Sequence, residues 1–493
     1  MVVKLSEQAY KDKVKACWIG KNIGGTMGGP YEQSRCVLNV TDFVTPKGEP
    51  LPNDDLDLQL CWLLALESLG PNGINAESLG EFWISYIHPH WNEYGVCKAN
   101  MKMGIPSQVA GDYKNKWLNS NGAFIRSEVW ACVCPALPEL AVKYALSDGC
   151  VDHGSGEGTI AEAFVAALQS SAFVLSLNDS INVALAYIPE NSRTAQSIRL
   201  VREYYETGKT WLEARNAVLE QNKDIGDGWF ESPSNVAYAV IGMLYGEGDF
   251  KKSMLTAINC GDDTDCTAAT VGATFGILYG TKNIPVDWID HVGDKIVTIS
   301  LAQGCSGAYM PKTLQDLTNR VVEACKSVLY SHNAFFQTGK RQNNFVYLDS
   351  ETNVPEDIYN WLLARAEKVK PTLAVKPLTY SISNHLFKVS ATLSKVNIKE
   401  DETIDLTVEI SQNPAYDSSH YSLAFRWWLP EGFTIEGNKS TFLGSVADYK
   451  YGKPAIETFK IKTAKTNPIN RLVLEISTPG RPTVTYLPIT LLG

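Results

Sequence analysis

The sequence has no apolar run approaching the roughly 18 residues that a membrane helix requires, so no span is expected. It has no dense basic stretch either. With 44 Lys and Arg against 54 Asp and Glu, its net charge of −10 repels phosphate backbones, which excludes nucleic acid as an expected partner. No CxxC pair occurs among the 11 cysteines, and Cys132/Cys134 and Cys260/Cys266 match no zinc spacing. An odd number without a framework reads as small buried apolar residues in a reducing compartment. The opening MVVKLSEQAYKDKVKACWIG lacks a charged leader with an apolar block and a cleavage site. The expected location is the cytoplasm, or outside it with the signal peptide missing from this sequence. No fixed-period helical repeat or low-complexity segment occurs, and nothing sets the oligomeric state.

What is present, 493 residues at 44% hydrophobic and 20% charged, suits a soluble globular protein of two domains. Residues 1–370 carry helical periodicity. Leu56, Leu60, Leu63 and Leu64 repeat as one buried helix face, as do Ile160, Ala163, Phe164, Ala167 and Leu168. Val236, Val240, Met243 and Leu244 form a third such face, with Ser234 after Pro233 as its expected N-cap. Pro371 and Pro377 bracket an expected extended linker. Residues 378–493 then alternate with period two, as in Ile404, Leu406, Val408 and Ile410, or Leu472, Leu474 and Ile476, and Val484 to Leu491 is a further strand. That pattern predicts an immunoglobulin-like β-sandwich, an accessory domain without a catalytic constellation. Its Trp427–Trp428 pair either stacks on sugar or places one ring in the core and one at the edge.

Two segments concentrate charge: Asn53-Asp54-Asp55-Leu56-Asp57 and Gly261-Asp262-Asp263-Thr264-Asp265. Each puts three carboxylates just ahead of an apolar helix, which is unfavourable unless something compensates it. Helix N-termini compensate in part, and acidic capping is one reading. A shared hard cation is the other, since carboxylate oxygens are what Mg²⁺, Mn²⁺ or Ca²⁺ take as ligands. Gly20 to Glu32 is dense in glycine, which means close backbone approach to a helix or a ligand, and Glu32 is a candidate acid/base. Asn121 to Glu128 and Asp152 to Gly158 are further polar, glycine-bearing segments. His153 could serve as a proton carrier, a sugar-binding donor or a capping histidine.

Taken in order, these five segments resemble the ADP-ribosylglycohydrolase family, from Val14 to Gly280. The resemblance implies an all-α catalytic domain that holds one or two Mg²⁺-class ions, here followed by the β-sandwich. The implied metal residues are Asn53, Asp54, Asp55, Asp263 and Asp265, and the implied catalytic acids are Glu32, Asp54 and Asp55. Asn121, Gly122, Arg126, Glu128, His153, Gly156 and Glu157 are the expected substrate-binding set. Asn53, Leu56 and Cys266 stand where the family has threonine. Thiol is a poor ligand for a hard cation, so one ion is expected rather than two. No residues are assigned to an adenine or diphosphate pocket. The expected function is a metal-dependent glycosidase whose cation grips vicinal hydroxyls of a small-molecule or oligosaccharide substrate. Its rivals are a true ADP-ribosyl hydrolase and an inactive sugar- or nucleotide-binding module.

Overall fold

The computed structural model describes the chain except residues 227–229, 302–308, 335–345, 374–375, 377, 385, 413–419 and 445–453, and the side chains of 332–334, 371–372 and 383. Cys305 and Pro377 thus lie outside the described residues. Among the described residues no helix is long and apolar enough to cross a membrane. The chain divides into two compact units: Met1–Val96 with Lys114–Val375, and Cys97–Tyr113 with Lys376–Gly493.

The first unit is helical apart from a parallel pair of short strands, β1 (Val3–Ser6) and β2 (Val346–Asp349). Its site-bearing helices, in chain order, are α1 (Glu7–Gly28), α2 (Asp54–Leu69), α3 (Asn92–Lys102), α4 (Pro138–His153), α5 (Glu157–Ala172), α6 (Arg193–Glu206), α7 (Ser232–Tyr245) and α8 (Thr264–Tyr279). The residues of α3 from Cys97 onward belong to the second unit. A later helix, α9 (Ile358–Leu373), takes in Pro371, so the linker expected from that residue begins only after Leu373. Likewise α7 begins at Ser232 with Glu231 as N-cap, three residues before the expected Ser234 cap. Pro233 sits in its first turn, where a missing N–H costs nothing.

The pairing of α1 with α8 sets the geometry of the unit. A Cβ on Gly20 would lie 2.1 Å from the Gly272 carbonyl oxygen, and one on Gly24 would lie 2.3 Å from the Ala269 nitrogen. One on Gly28 would meet the Thr264 carbonyl oxygen at 2.3 Å, and one on Gly276 would meet Ala16 at 2.4 Å. These positions step by four along α1 and by three to five along α8, in opposite directions. The glycines therefore let two antiparallel backbones touch along their length. The glycine-rich segment serves a helix contact, and it brings the end of α1 against the start of α8.

In the second unit a four-stranded and a five-stranded antiparallel sheet form a sandwich. The first has the order β11-β10-β6-β8 and the second β3-β4-β5-β9-β7. The strands are β3 (Thr379–Ser383), β4 (Phe387–Leu393), β5 (Thr403–Gln412), β6 (Tyr421–Trp428), β7 (Phe433–Glu436), β8 (Ser440–Leu443), β9 (Ala455–Thr463), β10 (Ile469–Ser477) and β11 (Val484–Leu492). The period-two residues Ile404, Leu406, Val408, Ile410, Leu472, Leu474 and Ile476 all point into its core. Ile105 and Val109 join that core, and the Gly104 carbonyl accepts from Arg471 and Thr490 at 3.1 Å each. Trp427 packs edge-on against Phe459, while Trp428 is exposed and donates to Glu475 at 2.9 Å.

Candidate active site and metal centre

Both acidic segments sit at helix starts, yet neither behaves as a cap. Asn53 is the N-cap residue of α2 and Asp263 that of α8, and neither side chain makes a capping hydrogen bond. The α1–α8 contact carries Asp263 and Asp265 to the end of α1, where Thr264 donates to the Gly28 carbonyl at 2.8 Å. The chain after Glu32 is bridged to the same place. Gln33 N–H donates to the Asp262 carbonyl at 2.9 Å, and Asp262 N–H to the Ser34 carbonyl at 2.8 Å. From the other side, Cys266 donates its thiol to Asp55 at 3.3 Å, joining the two acid segments directly.

Within each segment one acid is spoken for. Asp57 accepts the backbone N–H groups of Ile299 and Ser300 at 2.6 Å each, so it anchors that loop. Asp262 accepts from the Asn235 amide at 2.9 Å, and Asn235 in turn receives the Asp263 N–H at 3.3 Å. The remaining acids face one another. Burial, then the nearby Asp265, pushes Asp54 up to about 6. Glu32, exposed at the rim, is pushed to about 8 by desolvation, then by Asp265 and Asp54. Burial and Asp265 hold Asp263 well above the usual carboxylate range.

Several oxygens here are buried and receive no hydrogen bond from any described residue: Asn53 Oδ1, Asp55 Oδ2, Asn121 Oδ1, Asp263 Oδ1 and Asp265 Oδ1. Leaving buried acceptors unmet costs roughly 1–3 kcal/mol each. All are hard oxygen donors, the ligand type that a hard divalent cation takes. Ligand atoms of Asp263, Asp265 and Cys266 lie within 4.8 Å of one another. Burial pushes the Cys266 thiol well up, so it stays protonated and acts as a donor to Asp55.

The ADP-ribosylglycohydrolase family pattern matches residues 6–327. The chain belongs to the ADP-ribosylglycohydrolase family. Over 54 residues it is 42% identical to ADP-ribosylarginine hydrolase Tri1 of Serratia proteamaculans (strain 568), and 35% to the protein of that name from Pseudomonas putida (strain GB-1). Each stretch covers 11% of this chain and 15% of the relative. A solved structure titled as an ADP-ribosylglycohydrolase-related protein complex covers 65% of this chain and 99% of its own, with 17% identity and a TM-score of 0.42.

In this family member, most of the expected substrate-binding residues stand behind the acids. Asn121 does reach the site, donating to Asp263 at 2.7 Å. Arg126 is fully buried, and all its N–H groups are taken by Asp148, Asp152 and the Gly122 carbonyl. Glu128 is likewise buried, against Lys21 at 3.1 Å, Gln59 and Gln169. His153, the fully buried last residue of α4, stands 3.0 Å from Asp152 and 3.1 Å from the Ser120 hydroxyl. Gly156 lets the chain press against Leu118, and Glu157 accepts the N–H groups of Arg193 and Thr194, capping α6. The polar atoms of Arg126, Glu128 and Glu157 are thus engaged inside the protein, and Arg126 and His153 hold Gly122 and Ser120 of the 118–122 loop.

Three further residues bear on the acids. Tyr94 donates to Asp54 at 3.2 Å. Glu93 accepts from Ser120 at 2.8 Å. Lys21 is fully buried, 3.7 Å from Asp55 and 3.1 Å from Glu128, and donates to the Ile125 carbonyl at 2.5 Å. Burial alone would lower Lys21, but Glu128 and Asp55 outweigh it and keep it charged. A lysine inside a glycine-rich helix was the available signal, since such a charge must find a buried partner.

Proposed function

We propose that the chain is a divalent-cation-dependent glycohydrolase that holds a sugar through vicinal hydroxyls and hydrolyses the bond at its anomeric carbon. The supporting observation is the meeting of Glu32, Asp54, Asp55, Asp263 and Asp265, with carboxylate oxygens left unmet in a buried place. Asp54, Asp55, Asp263 and Asp265, with the Asn53 carbonyl oxygen, would hold one cation. When bound, that cation supplies Lewis-acid polarisation and a fixed seat for two hydroxyls. Asn121 and Tyr94 keep the carboxylates aimed, by donating to Asp263 and Asp54. Glu32, at the rim and with no donor among the described residues, exchanges a proton with the attacking water or the leaving atom. Glu32→Gln should lower kcat by roughly 10²–10⁴-fold, the usual contribution of a positioned acid/base.

A neutral sugar substrate is favoured because Lys21 and Arg126, the cations buried beside the acids, spend their donors within the protein. The named activity of the two bacterial relatives favours a second reading, hydrolysis of an ADP-ribosyl bond. A hydrolysis screen over pyranosides, furanosides and ADP-ribosyl compounds, with Mg²⁺, Mn²⁺ or Ca²⁺ and with chelator, separates them. Cation-dependent release of a simple sugar supports the first reading. Turnover of ADP-ribosyl compounds alone supports the second. No hydrolysis under any condition would leave a binding module.

A further inference from the structure

Trp91 is 46% exposed, an unusual place for an indole that is held this firmly. Its ring lies 6.4 Å from that of Tyr94, whose hydroxyl donates to Asp54 at 3.2 Å. Tyr94 packs in turn on Trp83 at 5.0 Å, and Trp83 on Trp62 at 5.7 Å. A ladder of four rings therefore runs from the buried face of α2 to the surface beside Asp54. The segment carrying Trp91 is fixed at both ends. His88 N–H donates to the Ser300 carbonyl at 2.8 Å, beside the two amides that Asp57 holds, and Gly95 N–H closes onto the Trp91 carbonyl at 3.0 Å.

We propose that Trp91 determines specificity by stacking a flat ring in the leaving group, on the far side of the scissile bond from the cation-held sugar. This role rests on the glycohydrolase reading of the acid site. An indole offers a wide, rigid apolar face at small entropic cost, and that suits the C–H face of a sugar or an aryl ring equally. Tyr94 links the two, with its ring 6.4 Å from the indole and its hydroxyl donating to Asp54.

The test uses the full chain with Mg²⁺ and three glycosides of whichever sugar the wild type cleaves: methyl, p-nitrophenyl and a disaccharide. Trp91→Ala should raise KM about tenfold for the ring-bearing glycosides, leave kcat within twofold, and leave the methyl glycoside unchanged. Trp91→Phe should recover most of the loss. A response to the p-nitrophenyl glycoside alone assigns an aryl ring, and one to the disaccharide alone a sugar. The cation-induced rise in Tm should be the same in wild type and Trp91→Ala, which separates loss of stacking from damage to the acid site. Equal KM changes for all three glycosides, or none, with wild-type turnover intact, would overturn the role of Trp91 alone. Absence of wild-type turnover would overturn it together with the glycohydrolase reading.

Discussion

Two acid-bearing helix starts meet in this molecule, and they differ in how their charge is met. At α2, Asp55 has the ammonium of Lys21 at 3.7 Å and the Cys266 thiol at 3.3 Å, and Asp57 holds two backbone amides. At α8, Asp263 receives one amide hydrogen bond from Asn121, and both Asp263 and Asp265 keep an unmet buried oxygen. Among the described residues both starts keep unmet buried oxygens, on Asn53, Asp55 and Asp57 at α2 and on Asp263 and Asp265 at α8, but the buried ammonium of Lys21 stands beside α2. A repeated acidic pattern is thus offset unevenly: a buried ammonium of the protein's own stands beside Asp55 at α2, while Asp263 at α8 meets neutral amide groups of Asn121 and Asn235.

The comparison can be broken most severely at the contact that brings the two starts together. Gly20→Val would drive side-chain atoms into the Gly272 carbonyl, which a Cβ alone already approaches at 2.1 Å. Neither backbone can give way, so little folded protein is expected by circular dichroism and gel filtration; a native-like melt would show that the helices can separate. Removing the internal compensation comes next. Lys21→Met leaves Asp55 and Glu128 buried without their cation and should cost about 3–5 kcal/mol in urea unfolding. A loss below about 1 kcal/mol would mean that the Lys21 pairing does not hold the native state together. Smaller still, Asp57→Ala strands the amides of Ile299 and Ser300 and should cost about 1–3 kcal/mol without altering cation affinity. Weaker cation binding in that variant would place Asp57 among the ligands.

These effects follow from features that the sequence discloses unevenly. Helix faces and sandwich strands were legible because their periods reflect burial directly: Leu56, Leu60 and Ile404 all fall where alternation puts them. The acids were legible too, since three carboxylates ahead of an apolar helix need a reason. The supporting residues were not. Arg126 and His153 lie in segments that resemble a substrate site, and only their surroundings reveal that Asp148, Asp152 and Ser120 absorb their polar atoms. The glycines of α1 were ambiguous between helix and ligand because close approach looks the same in sequence for both. The share of Cys97–Tyr113 in the sandwich unit was invisible, as nothing local marks a segment that packs with residues hundreds of positions away.

The central claim is that the α8 start completes a cation site, and a thermal melt of wild type and Asp263→Asn tests it most directly. Folded, cation-free protein keeps protons on Glu32 and Asp54, pushed to about 8 and about 6, when the unfolded chain has lost them. Their contribution to stability is therefore present at low pH and lost as pH rises through those values. A cation removes that repulsion, so its stabilising increment should grow from pH 5 to pH 8. Millimolar Mg²⁺, Mn²⁺ or Ca²⁺ should raise the wild-type Tm at pH 8 and raise it less at pH 5. Asp263→Asn should lose most of the increment while its chelator-treated Tm stays equal to wild type or slightly above it. Equal wild-type melting temperatures with chelator and with every cation would contradict the account.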